Sequence, residues 1–233
     1  MTAKNFEERL EKHPGAFHPV VPYEPGDKLI LMDFTDSNQE LSPDMLNDTN
    51  SFMNYINTKL QWAGAKYGIG GYNEHRTIYS RSRKFDGKER EEPRRLHLGL
   101  DIWGKPYTKV IAPLDGVIHS FAFNNAFGDY GATIILSHNL EDFSFYTLYG
   151  HLSLNSLKNL REGEVVRKSD VFAEFGIPFE NGQWPPHLHF QVILDMEGMK
   201  GDYPGVCKFS ERSRYLNNCP DPDLIVKMKS KAV

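Results

Sequence analysis

Two stretches of this chain alternate with period two and gather polar groups on one side only. In RRLHLGLDIW, residues 94–103, Leu96, Leu98, Leu100 and Ile102 fall on one side, and His97, Gly99 and Asp101 on the other. In PPHLHFQVIL, residues 185–194, Leu188, Phe190 and Val192 share one side, and His187, His189 and Gln191 the other. Residues two apart on a strand project to the same face. Each stretch therefore predicts a strand with an apolar back on a core and a polar front. Together the fronts offer His97, Asp101, His187 and His189, and Gly99 keeps a bulky side chain out of the space between His97 and Asp101.

The sequence between the two stretches has the same character. KVIAP, GVIHSFAF, ATIILSH, FSFYTLYGHLS and VFAEFGI are short β-rich runs separated by PLDG, FGDYG and SHNLED. That pattern predicts antiparallel strands joined by short hairpins. SLNSLKNLREGEVV reads as a helical turn or loop between strands. Upstream, DKLILMDF (27–34) predicts a short strand. Phe52, Ile56, Leu60, Ala63 and Tyr67 then recur at helical spacing, with Asp48 or Asn50 as cap and Gly68 to Gly71 as the end. Past about 196 the rhythm is lost, leaving one short helix that Ser210 would cap. The expected fold is mainly β: a compact antiparallel sheet or sandwich over 96–196, an N-terminal α/β extension over 1–95 and an irregular C-terminal tail over 197–233.

Composition narrows the chemistry. Among 233 residues, 39% are hydrophobic and 25% charged, so a packed core is expected, and the formal charge of -4 argues against nucleic acid or an anionic membrane as partner. KEREEPRR, residues 88–95, is expected to be a solvated loop. The opening MTAKNFEERLEKHPGAF lacks the apolar core and cleavage site of a signal peptide, and no apolar run reaches the roughly 18 residues of a membrane span. As read, the chain is expected in the cytoplasm, with export after removal of a leader as the alternative. The two cysteines, Cys207 and Cys219, are too few for a Cys-rich zinc site and are expected to be free or buried. Nothing in the pattern fixes an oligomeric state.

Imidazole nitrogens with one carboxylate oxygen are the ligand set of a catalytic zinc, which leaves one position open. Such sites also accept other divalent metals. A further histidine could take a proton from the water or steady a developing oxyanion, and His151, in YGHLS at a strand end, is the candidate. His13, His18, His75, His119 and His138 stand alone and read as surface or hydrogen-bonded residues.

HLGLD, GHLS and HLHF resemble, in order and spacing, the lysostaphin-type zinc endopeptidases. GKPYTKVIAPLDGVIHSF, YGATIILSHN and LREGEVVRKSD are similar to that family's intervening segments. The resemblance covers about 95–195. It implies a groove-bearing antiparallel β fold with one zinc per chain. By this resemblance His97, Asp101 and His189 bind the metal, while His151 and His187 assist catalysis. The implied substrate is a peptide or a peptidoglycan cross-link, often cut next to glycine.

Three features depart from the family. NGQWPPHLHF stands where members carry a small Ser/Thr-Gly-Pro stretch, so Trp184 and Pro185 are expected to form a bulky groove wall that disfavours glycine-rich substrates. Members are typically exported. GIGGYNEHRTIY is an unusual polar, glycine-rich stretch, read either as a helix-ending loop or as one that lays Asn73, Glu74 or Arg76 over the metal to inhibit the site or shape its substrate. The tail GDYPGVCKFSERSRYLNNCPDPDLIV is similar to tails that follow such domains in long bacterial proteins with aminotransferase-like parts. The competing expectation is therefore a non-catalytic zinc-containing binding or regulatory module linked to a cytoplasmic metabolic enzyme. Phosphoryl transfer through facing histidines is disfavoured, because Asp101 would repel a phosphohistidine.

Overall fold

Alternation through the second half of the chain becomes one large sheet. The computed structural model describes residues 2–87 and 91–233, so the expected loop at 88–95 has residues 88–90 outside the described set. In chain order the strands are β1 (Leu29–Met32), β2 (Tyr67–Gly70), β3 (Leu96–His97), β4 (Leu100–Trp103), β5 (Lys109–Ile111), β6 (Gly116–Asn124), β7 (Gly131–Leu140), β8 (Phe143–Leu152), β9 (Val165–Val166), β10 (Val171–Glu174), β11 (His187–Ile193) and β12 (Val206–Cys207). Eight of them form a sheet in the order β1, β2, β4, β11, β8, β7, β6, β9, while β10 pairs with β5 and β12 with β3. Every pair is antiparallel except β1 with β2.

The molecule is mainly β, as its patterning predicts, and the apolar backs behave as expected. Leu100, Ile102, Leu188, Phe190 and Val192 are fully buried in the main core with Ile134, Leu136, Phe145 and Tyr149. Such burial contributes about 1.5–3 kcal/mol for each large apolar side chain. Two readings are corrected nearby. The stretch 94–103 is not one strand: it breaks at Leu98 and Gly99, and β3 leaves the large sheet to pair with β12. Leu96 and Leu98 consequently join a second cluster with Tyr130, Ile135, Leu148 and Ile193. The break needs a glycine, since a Cβ on Gly99 would stand 2.5 Å from His189 Nε2 and 2.9 Å from the Phe190 carbonyl.

The expected upstream helix exists but ends early. It runs from Thr49 to Ala63, capped by the Asp48 side chain, which accepts from the Ser51 amide at 2.7 Å. Phe52, Ile56 and Leu60 form its buried face. Gly64 takes φ 60°, the left-handed conformation that closes a helix. Tyr67 is therefore not helical, and Gly68 to Gly70 lie in β2, which pairs with β4. The N-terminal segment thus lengthens the sheet by two strands and adds a third cluster containing Phe34, Phe52, Tyr79, Trp103 and Trp184. A short helix at Ala3–Leu10 buries Phe6 against Phe143 and Phe145.

The tail is less irregular than expected. It holds β12 and two short helices, Arg212–Asn218 and Asp223–Val226. Ser210 caps neither; its amide donates to Glu92. Cys207 and Cys219 are buried free thiols. The linker 153–166 also carries β9, which pairs with β6. Among the described residues no helix is long and apolar enough to cross a membrane.

Candidate metal centre

Register brings the site together. Asp101 on β4 lies opposite Gly70 on β2 and His189 on β11, and His189 lies opposite Gly150 on β8. One row across four strands therefore ends beside His151. His97 reaches the same point from β3, across the break at Gly99. His97, Asp101 and His189 are buried, with exposures of 0%, 2% and 3%. Their ligand atoms form a triangle: His97 Nε2 to His189 Nδ1 is 3.0 Å, His189 Nδ1 to Asp101 Oδ1 is 3.1 Å, and His97 Nε2 to Asp101 Oδ1 is 3.3 Å.

The hydrogen bonds behind this triangle assign its protons. His97 Nδ1 is 2.8 Å from the Gly71 carbonyl, which can only accept, so the proton is on Nδ1 and Nε2 carries a lone pair. His189 Nε2 lies 2.9 Å from Gln191 Oε1. Gln191 spends its own Nε2 on the Pro204 carbonyl at 3.1 Å, so Oε1 accepts and His189 Nδ1 carries the lone pair. With both rings neutral, two imidazole lone pairs and a carboxylate oxygen face one another at 3.0–3.3 Å. That arrangement is repulsive without a cation. A tetrahedral zinc with ligands at roughly 2.0–2.1 Å holds its donors about 3.3 Å apart. The donor set and its spacing fit that ion, and His97, Asp101 and His189 are the residues that would hold it.

Electrostatics agree with this. Burial, followed by the charge of Arg76, pushes His97 down to about 3, so its ring is neutral and available as a ligand. Burial works against ionising Asp101, but the Arg76 guanidinium on its Oδ2 helps to outweigh it, and the carboxyl is held well below the usual range.

His151 and His187 stand beside the triangle and outside it. His187 Nδ1 donates to the Pro185 carbonyl at 2.7 Å, and its ring stacks on Trp103 at 3.9 Å. His151 Nδ1 donates to the Asn181 carbonyl at 2.8 Å, and the two rings lie 4.1 Å apart. Both Nε2 atoms lack a partner among the described residues. Burial pushes His187 down to about 4 and His151 well below the usual imidazole range. The position of His151 has a backbone cause. Ala132 opposes Leu152 while Ile134 opposes Tyr149, so Gly150 and His151 face Thr133 alone. This is a β-bulge, and His151 takes φ 62° in it. Bulges re-aim side chains beside active sites, and a left-handed non-glycine residue persists only where its surroundings hold it.

A cavity of about 320 Å³ opens over Asp101, His189, His151 and His187. Trp184 and Tyr130 line it, and the Tyr130 hydroxyl lies 3.4 Å from His189 Nε2. Trp184 is thus at the groove, backed by the Arg81 guanidinium at 4.7 Å.

The polar loop departs from expectation. Asn73, Glu74 and Arg76 do not lie over the metal position, and none lines the cavity. Asn73 Oδ1 accepts from Arg212 Nε at 2.9 Å. Arg76 is fully buried behind Asp101, with Nη1 on Asp101 Oδ2 and Nε 2.6 Å from Glu74 Oε2. A buried guanidinium is drawn to the nearest carboxylates, and they lie beneath the site. The isolated histidines stay apart from the triangle; His138, for one, is buried and bonded to the Asp115 carbonyl and Thr147. Sequence reading missed Gln191 as the group that sets the His189 tautomer, although its place two residues on from His189 was the available signal. Tyr130 and the Gly71 carbonyl gave none.

Comparison with known proteins bears on the same residues. Residues 95–200 match the family described as Peptidase family M23. An uncharacterized metalloprotease of Haemophilus influenzae is 32% identical over 102 residues, which are 43% of this chain and 19% of that protein. The chain thus matches about a fifth of the length of that curated relative. Among solved structures, a zinc containing peptidase from Vibrio cholerae is 25% identical over 42% of this chain and 27% of that one, with a TM-score of 0.34. The catalytic domain of the antimicrobial peptidase lysostaphin from Staphylococcus simulans is 21% identical over 70% of this chain and 96% of that one, with a TM-score of 0.41.

Proposed function

We propose that the chain, whose residues 95–200 match peptidase family M23, is a zinc-dependent hydrolase cutting an amide bond in a peptide or peptidoglycan-type substrate. The observation that carries this reading is the buried triangle of two imidazole nitrogens and a carboxylate oxygen at 3.0–3.3 Å, beside two further histidines in a groove. When bound, zinc supplies a Lewis acid for the scissile carbonyl and acidifies a water from a pKa of about 15.7 to about 7.

The rest falls to the chain's own residues. His97, Asp101 and His189 keep their lone pairs on one point, because Gly71 and Gln191 take the protons on the far sides of the two rings. His151 and His187 begin neutral. Each has Nδ1–H fixed on a carbonyl and Nε2 free to accept a proton from the attacking water and return it to the leaving amine. Once protonated, either ring also steadies the negative charge that develops on the carbonyl oxygen. Trp184 and Tyr130 narrow the groove and restrict water around the reacting atoms.

The test pairs metal content with turnover. Wild-type protein purified without added metal should carry about one zinc per chain and hydrolyse members of a panel of short peptides and cell-wall fragments. His189→Ala should lose both. Full turnover by His189→Ala would overturn the assignment, and zinc binding by wild type without hydrolysis across the panel would favour a binding module.

A further inference from the structure

Residues 67–76 precede the stretch that matches the peptidase family, yet they reach two of the three ligand candidates. β2 pairs with β4 so that Gly70 lies opposite Asp101. The chain then turns back along β3. The Asn73 amide donates to the His97 carbonyl at 2.9 Å, the His97 amide to the Glu74 carbonyl at 2.9 Å, and the Arg76 amide to the Arg95 carbonyl at 2.9 Å. This backbone clamp carries two side-chain consequences. The Gly71 carbonyl accepts from His97 Nδ1 at 2.8 Å and from Arg76 Nη2 at 3.0 Å, so one oxygen ties a metal ligand to the arginine. Arg76 Nη1 donates to Asp101 Oδ2, the oxygen outside the triangle.

We propose that Arg76 is a positioning residue of the metal centre: by occupying Asp101 Oδ2 and fixing the Gly71 carbonyl, it presents Asp101 through Oδ1 alone and holds His97 Nε2 on the metal position. The proposal rests on the zinc reading above. A fully buried ion pair is weak evidence for stability, since desolvation offsets much of its attraction. An arginine with no exposure, joined to Asp101, Glu74 and Gly71 at once, is better explained by orientation. Partners behind metal ligands fix both tautomer and direction, and their loss typically weakens metal binding. Asp101 and Glu74 more than neutralise the guanidinium, so its charge does not repel the incoming cation. The upstream segment is therefore part of the metal centre.

The experiment uses the full chain. Zinc affinity is measured by chelator competition, and the cobalt(II)-substituted protein by visible absorption, for wild type, Arg76→Gln, Arg76→Lys and Gly70→Ala. A Cβ on Gly70 would stand 2.7 Å from Arg76 Nη2 and 3.3 Å from Asp101 Cβ, so Gly70→Ala crowds the Arg76–Asp101 pair while keeping both charges. Arg76→Gln should weaken zinc binding by about 10–100-fold. It should also lower the cobalt band intensity, because a freed Oδ2 raises the coordination number. Arg76→Lys, with the charge but not the fork, should fall between wild type and Arg76→Gln, and Gly70→Ala should move both readouts in the same direction. Folded variants that bind zinc as tightly as wild type, with its cobalt spectrum, would overturn the proposal. Wild type that binds no zinc would overturn the metal reading and this inference with it, a different result from failure in the variants alone. Hydrogen exchange on wild type needs no variant. Coupling is reciprocal, so zinc should slow exchange at the Asn73, Arg76 and His97 amides beyond any change in the β6–β7 hairpin, and unchanged exchange there would equally overturn it.

Discussion

His187 and His189 are two residues apart on one strand face, yet they are assigned different tasks. Alternation alone cannot separate them, because it places both on the same side of β11. The separation comes from register: His189 lies opposite Asp101, and His187 opposite Trp103, on whose indole it stacks. Register depends on contacts between residues 80 or more apart in sequence, which no local pattern encodes. The single variants therefore have distinct expected outcomes. His151→Ala and His187→Ala should each retain zinc while lowering kcat/KM by about 10²–10⁴, the usual contribution of a positioned proton carrier. Metal analysis and steady-state kinetics on the same preparations check this. If either variant loses its zinc, that histidine belongs to the ligand set and the division fails. The His-x-x-x-Asp and His-x-His residues were themselves legible, because a polar row on an otherwise apolar strand is locally visible. Tyr130 reaches the site only through folding and was not; Arg76 was visible but expected over the metal, and Gln191 was visible on the same strand face without its role being read.

At the scale of elements, the helix Thr49–Ala63 gives the sharpest contrast between pattern and structure. Apolar spacing runs on through Ala63 to Tyr67, so the sequence favours a longer helix. The structure ends it at Gly64, whose amide donates to Leu60 and Gln61 carbonyls at φ 60°. The two alternatives make predictions of opposite sign. Where Gly64 is a left-handed cap, Gly64→Ala destabilises by roughly 1–2 kcal/mol; inside a continuing helix the same change would stabilise by about 1 kcal/mol. Urea unfolding of the variant should show the loss. Asp48→Ala, at the other end, should cost about 0.5–2 kcal/mol and add to it, since the sites share no partner. β2 was illegible for a related reason. YGIG has poor strand propensity, and β2 exists because its neighbours need glycines: a Cβ on Gly68 would stand 2.6 Å from Met32 Cγ, and one on Gly70 2.7 Å from Arg76. The longer strands of 109–193 were legible as β-rich runs between turn signals, while β9 and β12, two residues each, were too short to show a period.

Over the whole molecule, the segments on both sides of the central β region are built into it. The N-terminal segment extends the sheet and underpins Asp101 and Trp184, and the tail buries Tyr203, Cys207 and Cys219 against Leu96, Leu98 and Tyr130. Sealing both faces of the sheet strands titratable groups in the interior, and this sets how global stability responds to pH. His138, remote from the metal triangle, shows it most directly. Its ring is 1% exposed, stacked on Phe145, with Nδ1 donating to the Asp115 carbonyl at 2.9 Å and Nε2 bonded to Thr147 Oγ1 at 2.7 Å. Burial pushes its pKa down to about 4, against roughly 6.5 in an unfolded chain. Below about pH 6.5 the unfolded chain takes up a proton that the folded one refuses, so stability falls as pH drops towards 4 and rises with pH across that window. Below the folded value both states carry the proton and this group's contribution is flat. The full difference is about 3 kcal/mol. Urea unfolding of zinc-stripped protein at pH 7, 5.5 and 4.5, for wild type and His138→Gln, isolates it. The variant should be the less stable at pH 7, because its amide cannot reproduce both bonds, and its dependence on pH should be shallower by up to about 1.4 kcal/mol per pH unit. Parallel pH dependences would show that His138 takes its proton in the folded state as readily as in the unfolded chain, and would remove it from the interior charge balance.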